Sequence, residues 1–147
     1  MALHLIKLCV GADTVEHLAE WLESGEADWK LPNGKHAVAH RTTMIPKRID
    51  ELLSGGSLYW VIKGRIQVRQ RLLAIEPFKD KTGRDRCALA MDPAIVLTRP
   101  RAHRPFQGWR YLEGKDAPPD MGPYRADKGH GNARLKAELI ELGLIRE

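Results

Sequence analysis

The stretch "GGSLYWVIKGRIQVRQR", residues 55–71, decides how the chain folds, because apolar and polar side chains alternate along most of it. A period of two predicts a β-strand or hairpin with one buried face. With Leu72 just beyond, the apolar positions are Leu58, Trp60, Ile62, Ile66, Val68 and Leu72. The intervening positions carry Tyr59, Lys63, Arg65, Gln67, Arg69 and Arg71. We therefore expect one apolar face and one cationic face.

The register of this stretch depends on the turn near Gly64. A two-residue turn at Lys63-Gly64 would put Arg65 on the same face as Ile62 and bring charge into the core, which is unfavourable. A longer hairpin loop, or a strand bulged at Gly64, keeps the two faces separate. We expect one of these two solutions.

The elements around this stretch are predicted from local patterns. His4–Val10 is rich in β-formers and ends at Gly11, which predicts a first strand. Asp13 is a good N-cap with Glu16 three residues on, so a helix should follow and end at Gly25. Similar reasoning predicts a strand at 37–43, a helix from Pro46 to Gly55, turn-like residues 77–84, and strands at 87–92 and 95–98.

The C-terminal part looks irregular. Pro100 and Pro105 should prevent regular pairing through 99–111, and prolines and glycines predict an irregular loop over 113–132. A closing helix is predicted over 132–143. With 147 residues, roughly 70% of the unfolded surface can be buried, so residues 1–147 should form a single domain.

Composition and cysteine use bound the class of protein. Apolar and charged fractions of 43% and 29% are typical of a globular, soluble chain, and no run is long enough to span a membrane. Lys7 interrupts the N-terminal apolar stretch, which argues against a signal peptide. Cys9 and Cys87 lie in strand-like runs without metal-ligand spacing, so they should be buried reduced thiols in a cytoplasmic protein.

Basic residues are concentrated in two tracts of a chain whose net charge is +5. Residues 35–71 hold eight Lys or Arg and two acids, and residues 99–111 hold four Arg and no acid. Residues 12–28, in contrast, hold six acids and no Lys or Arg. This placement favours an anionic partner.

Arginines are interleaved with aromatic residues in the 99–111 tract, and the basic strand face of the first tract carries one Tyr. Both combinations are suited to phosphates and to base faces. The predicted nucleic-acid-binding residues are Lys47, Arg48, Tyr59, Lys63, Arg65, Arg69, Arg71, Arg104, Gln107, Trp109 and Arg110. Tyr59 or Trp109 would stack on a base. The alternatives are an ordinary solvated strand face, and a loop that Phe106 and Trp109 pin to the core.

Other kinds of site have less support in the sequence. Lys47 and Arg48 should lie in the first turn of a helix, where free N–H groups favour an anion, but ordinary surface placement is the preferred interpretation. His36 and His40 lack a third ligand nearby, so we expect no metal, and no motif indicates a cofactor or a nucleophile.

Four blocks identify the chain as a member of a family of small bacterial proteins of unknown function: "HLIKLCVG", "PKR…ELL.GGSLYWVIKG", "RPFQGWRYL" and "DAPPD". The resemblance extends from Leu3 to about Asp120 and brings no established activity. The chain also resembles the PUA-like superfamily, with its ASCH and EVE branches, through the strand–helix–strand order and "YWVIK". That resemblance implies an α+β fold, a small mixed, mostly antiparallel β-barrel with flanking helices that binds RNA or modified nucleobases.

Three functions remain open from the sequence. The first is a nucleic-acid-binding module for RNA or a modified nucleobase, which we favour over an enzyme. The second is a hydrolase acting on a nucleotide-like substrate. Some ASCH relatives use a Lys/Thr/Glu set, for which Lys47, Thr43 and Glu51 are possible but unassigned counterparts. The third is an interaction protein that docks an acidic partner; the oligomeric state is open.

Overall fold

The computed structural model describes residues 2–125, and the predicted helix over 132–143 lies outside them. The described chain folds into two α-helices, one 3-10 turn and nine strands. Their bounds are β1 Leu3–Leu8, α1 Val15–Glu23, β2 Asp28–Lys30, β3 His36–Thr42, α2 Ile49–Leu53, β4 Ser57–Ile62, β5 Arg65–Lys79, β6 Asp85–Met91, β7 Val96–Ala102, β8 Trp109–Glu113 and β9 Asp120–Pro123, with the 3-10 turn at Gly114–Asp116.

The long strand β5 organises the sheet. Its first half pairs with both β4 and β7, and its second half pairs with β6. β6 and β7 therefore run along β5 like one long strand interrupted at 92–95. On one side of the sheet, residues 72–79 pair with β6, which is followed by β3 and β2. On the other side, residues 65–71 pair with β4, which is followed by β1 and β8.

The sheet is mixed and open. All pairs are antiparallel except β1 with β4, and β1 also pairs antiparallel with β8. The predicted small α+β fold with a mixed, mostly antiparallel sheet is confirmed. The predicted barrel is wrong, because the strand order ends at β2 on one side and β8 on the other without closing.

Both predicted N-terminal helices form, with changed starts. α1 buries Val15, Leu18, Ala19 and Leu22, but Thr14 caps it by accepting from the His17 N–H, and Asp13 does not. α2 has only five residues and begins at Ile49, so Lys47 lies before it and Arg48 only flanks its start. None of the helices among residues 2–125 has the length and apolar run needed to cross a bilayer.

The β4–β5 hairpin adopts the turn that the sequence analysis disfavoured. Lys63 and Gly64 form a two-residue turn with φ of 52° and 76°, as in a type I′ turn. Ile62 pairs with Arg65, and a register shift between Trp60 and Val61 then accommodates an extra residue. The irregularity is therefore within the paired strands and not at Gly64.

This register divides the apolar residues between two faces. Leu58, Trp60, Ile62 and Val68 enter the main core together with the inner face of α1. Tyr59, Val61 and Ile66 enter a second cluster with Ile6 and Phe106 on the opposite face. The predicted cationic face is thus wrong in part, since its centre is apolar and every residue of β4 is buried.

Two segments predicted to be irregular are partly strands. Pro100 lies within β7, where the register with β5 shifts between Ile66 and Val68, so it occupies a bulge in which a missing N–H is tolerated. Trp109–Glu113 pairs with β1, and Asp120–Pro123 pairs with β7. The second half of β5 also continues through Pro77 to Lys79, in the segment 77–84 predicted to be turn-like.

Candidate functional site

The fold brings the two basic tracts together at one end of the sheet. Arg65, the first residue of β5, pairs with Ala102 at the end of β7. The backbone N–H of His103 then donates to the carbonyl oxygen of Gly64 at 2.9 Å. Residues more than thirty-five positions apart in sequence therefore share one edge. We call Lys63, Arg65, Arg104 and Arg110 the cationic rim.

Residues 103–108, which link β7 to β8, are anchored by one aromatic side chain. Phe106 is buried in the second apolar cluster. The His103 ring meets it edge-on with centroids 5.0 Å apart, and the Arg110 guanidinium lies 4.7 Å from its ring centroid. Phe106 thus anchors the segment to the apolar cluster, while Arg104 on the segment and Arg110 in β8 are exposed.

The members of the cationic rim differ in solvent exposure and in ion pairing. Lys63, Arg104 and Arg110 are exposed, and none of the ion pairs found among residues 2–125 involves them. Arg65 is half-buried and has a partner. Gln107 is exposed on the same segment as Arg104. Three cations of the rim can therefore meet an anion without first breaking an ion pair.

Arg69 and Arg71, also predicted to bind nucleic acid, lie elsewhere. Arg69 donates to both carboxylate oxygens of Asp120, at 2.8 and 2.7 Å, and to Ser57 Oγ at 3.0 Å. These hydrogen bonds hold the pKa of the Asp120 carboxyl below its usual range. Arg71 is exposed but six residues beyond Arg65, roughly 20 Å along an extended strand. The structure therefore does not group either residue with the rim.

Lys47 and Arg48 form a separate site around Tyr111. Their backbone N–H groups both donate to the Tyr111 hydroxyl, at 2.9 and 3.1 Å. The Arg48 guanidinium makes two 2.7 Å hydrogen bonds to Glu51, which lower the pKa of that carboxyl. Since these N–H groups are already satisfied, they favour ordinary surface placement, which the sequence analysis preferred, over an anion site at a helix start.

The two rings predicted to stack on bases are not available. Tyr59 is 4% exposed and packs edge-on against His4, with centroids 4.9 Å apart. Trp109 is 6% exposed, and its indole N–H donates to the Met44 carbonyl at 2.7 Å. Both rings belong to the core, so stacking by Tyr59 or Trp109 is wrong for this structure.

A cavity of about 270 Å³ lies between α1 and the sheet. Its walls come from the β1–α1 connection, from α1, and from single residues of β3 and β4: Cys9, Val10, Gly11, Ala12, His17, Leu18, Trp21, His40 and Trp60. The His40 ring meets Trp60 edge-on at 5.4 Å. We call this space the α1 pocket; the site residues predicted from the sequence do not include its lining.

Burial shifts two ionisable groups that line the α1 pocket, Cys9 and His40, toward their neutral forms. It raises the pKa of the Cys9 thiol to about 11. Burial, followed by the charges of Lys7 and Arg86, lowers the pKa of His40 to about 4. Burial also lowers the pKa of Lys7. Lys7 precedes Cys9 by two positions but does not line the pocket, so its charge was not a sequence signal for this space.

The remaining sequence candidates have structural roles or none that we can assign. His36 is exposed beside Asp28, at 3.2 Å, and shares no ligand set with His40. Among residues 2–125 no group of three or more His, Cys, Asp or Glu side chains could hold a metal ion. Both cysteines are free and buried. Of the hydrolase counterparts, Glu51 is bound to Arg48, while Thr43 and Lys47 are exposed.

The fold and these sites define a small α+β domain built on an open mixed sheet. The chain belongs to the family described as "Protein of unknown function (DUF1489)", whose model matches residues 5–145. Comparison with curated proteins and with solved structures gave no significant match. The predicted membership of a family of unknown function is confirmed, and the PUA-like resemblance stays a prediction.

Proposed function

We propose that this protein binds nucleic acid, RNA in particular, through the cationic rim. The observation that carries the proposal is the junction between the β4–β5 turn and the start of the 103–108 segment, closed by the hydrogen bond from His103 to Gly64. It makes one surface out of two basic tracts. Cys9 and Cys87 are free and buried, which is compatible with the reducing cytoplasm. A cytoplasmic location is part of the same proposal.

The rim supports contacts to phosphates and not to bases. Lys63, Arg104 and Arg110 present flexible cations, and Arg110 is oriented by its stacking on Phe106. The Tyr59, Phe106 and Trp109 rings are buried, so none of these three offers an exposed platform for a base. Contacts to the phosphate backbone carry little sequence information. We therefore expect RNA binding with weak sequence preference and strong dependence on salt.

The test is a salt-titrated fluorescence anisotropy measurement with a single-stranded RNA, a duplex RNA and an acidic polypeptide. Three or four phosphate contacts predict that log affinity for single strands falls with log salt at a slope of about −2 to −3. Changing Lys63→Glu and Arg104→Glu together should weaken RNA binding at least tenfold, because each reversal places a repelling charge on the rim.

A matched control uses the exposed turn at the other end of β5. Lys81→Glu with Arg84→Glu makes the same change in net charge at exposed positions outside the rim and should leave RNA binding nearly unchanged. Equal loss in both double variants would mean that only net charge matters and would refute a specific rim. Binding of the acidic polypeptide but of neither RNA would favour the interaction-protein alternative.

A further inference from the structure

The α1 pocket is open to solvent on one side and bounded by an aromatic ring on another. Its lining residues Val10, Gly11 and His17 are exposed and form the mouth. A Cβ built on Gly11 would meet no atom within 4 Å. Trp60, on the sheet side, is 1% exposed, and its indole N–H already donates to Gln70 Oε1 at 2.9 Å. This ring therefore presents carbon atoms to a space that solvent can enter.

His40 lines the pocket as a half-buried polar ring without a hydrogen-bond partner among residues 2–125. The histidine rings that form hydrogen bonds in this part of the chain are His4, His17, His36 and His103. With its pKa lowered to about 4, the His40 ring is neutral at pH 7 and has one N–H donor and one bare nitrogen acceptor. Half-buried polar groups of this kind favour a partner that replaces lost hydration.

The lining of the pocket carries no ionic side chain. Its nine residues include neither Lys nor Arg and neither Asp nor Glu. An ion that entered would lose hydration without meeting an opposite charge on these walls, which is costly. The pocket therefore favours an uncharged ligand.

The shape and size of the pocket narrow the ligand further. Trp21 from α1, Trp60 from β4 and His40 from β3 supply three flat rings, and such walls suit a planar molecule. A volume of about 270 Å³ is at the small end of ligand cavities, roughly 300–1,000 Å³. One ring or two fused rings are the expected size. A ring system with both an N–H and a bare nitrogen can pair with either tautomer of His40.

We propose that the α1 pocket is a binding site for an uncharged planar nitrogen heterocycle, packed against the Trp21 and Trp60 rings and hydrogen-bonded to His40. The ligand supplies the partner that the His40 ring lacks among the described residues. The site is lined by none of the residues of the cationic rim, so it does not depend on RNA binding.

Two sources share this chemistry: a free small molecule, and an unpaired base of a strand held on the cationic rim. The Cys9 N–H donates to the Val61 carbonyl at 2.9 Å, and Val61 precedes Lys63 of the rim by two residues. The mouth of the pocket and the rim therefore lie at the same end of the sheet. The experiments below include arms that distinguish the two sources.

The first experiment titrates the full chain with benzimidazole at pH 7 and follows the tryptophan indole N–H signals by NMR. The signals of Trp21 and Trp60 should shift, while that of Trp29, outside the pocket and bound to Glu76, should not. The permanently charged 1,3-dimethylbenzimidazolium, which has the same ring system, should bind at least about tenfold more weakly. Absence of a shift at millimolar benzimidazole, or equal binding of the cation, would overturn the proposal.

Substitution of His40 tests the hydrogen bond separately from the ring packing. His40→Phe keeps a flat ring but removes both nitrogens, and it should lower benzimidazole affinity about tenfold. His36→Phe, at an exposed position outside the pocket, is the matched control and should leave the affinity unchanged. Equal affinity in the two variants would refute the role of His40.

A measurement on the unsubstituted protein covers the case in which His40→Phe does not fold. Cys9 lines the pocket, whereas Cys87 is fully buried in the core and serves as an internal control. Benzimidazole should slow alkylation of Cys9 by iodoacetamide and leave the reaction of Cys87 unchanged. Equal protection of both thiols, or of neither, would contradict binding in the pocket.

The source of the heterocycle is tested with a short single-stranded RNA and the Lys63→Glu/Arg104→Glu protein. A base from the strand should shift the Trp21 and Trp60 signals of the unsubstituted protein but not of this variant. RNA that leaves both signals unchanged would assign the pocket to a free small molecule. The variant should bind benzimidazole normally in either case, so failure of RNA binding and failure of the pocket can be told apart. Loss of benzimidazole binding in the variant would refute a separate site.

Discussion

At the scale of single residues, Lys7 is a cation within the core-facing strand β1, where the residue is 8% exposed. Burial lowers the pKa of Lys7, so its charged form is disfavoured in the folded state, and Met has a similar length without the charge. We expect Lys7→Met to raise the free energy of unfolding by about 1 kcal/mol, measured by urea denaturation at pH 7. Lys81→Met should change it by less than about 0.5 kcal/mol. A less stable Lys7→Met protein would show that the amine has a structural partner.

His40 predicts how stability depends on pH. Its pKa is about 4 in the folded protein, against an ordinary value of 6.5. Between these values the unfolded chain binds a proton that the folded chain does not. The contribution of His40 is therefore complete above pH 6.5 and is lost as pH falls toward 4. Urea denaturation should show about 2 to 3 kcal/mol less stability at pH 4.5 than at pH 7 from this group.

The matched variants separate this loss from other acid effects. His40→Gln should reduce the difference between pH 7 and pH 4.5, whereas His36→Gln, at an exposed position, should keep it. The lowered pKa of Asp120 adds a loss only below pH 3.8, because that carboxylate stabilises the fold until it is protonated. An unchanged pH profile in the His40→Gln protein would contradict burial of a neutral imidazole.

At the scale of elements, Gly56 joins α2, β4 and β1 at one tight point. Its N–H donates to the Leu52 carbonyl, and its own carbonyl accepts from the Leu72 N–H. A Cβ at this position would lie 2.2 Å from the Leu3 carbonyl oxygen and 2.4 Å from that of Leu52. Both neighbours are backbone atoms, so no side-chain rotation can relieve the clash.

Gly56→Ala should therefore lower the free energy of unfolding by about 3 kcal/mol or more, since the backbone itself must move. Gly34→Ala is the matched control, because Gly34 has a φ of +85° but open space around its Cβ position. It should cost about 1 kcal/mol through backbone strain alone. Chemical denaturation of both proteins measures the difference, and equal losses would contradict the close approach at Gly56.

Local sequence patterns predicted an element well where residues close in sequence determine its structure. The helical spacing of Val15, Leu18 and Leu22 correctly placed α1. The N-cap was assigned one residue early, because Asp13 and Thr14 both have capping side chains. Ile66 was assigned to the wrong face, because a register shift inside β4–β5 changes the facing of the residues beyond it. A period of two cannot reveal such a shift.

At the scale of the whole molecule, the sequence could show which residues carry charge but not which of them meet. The rim depends on β7 lying beside β5, a pairing hidden by Pro100 and by an irregular register. Arg69 is not a free cation because it is paired with Asp120, fifty-one residues away. The α1 pocket likewise combines residues from four separate segments. Each of these is a tertiary property that no local window contains.

The position of β1 has a consequence for the order of folding during synthesis. β1 leaves the ribosome before both of its neighbours, which are β4, ending at Ile62, and β8, beginning at Trp109. Domains fold as units, and unpaired strand edges are prone to aggregate. Both edges of β1, which contains Leu5 and Ile6, therefore stay unpaired until β4 has been synthesised, and the second edge stays unpaired until β8 has been synthesised. The β4–β5 hairpin, which closes over two residues, can form long before them.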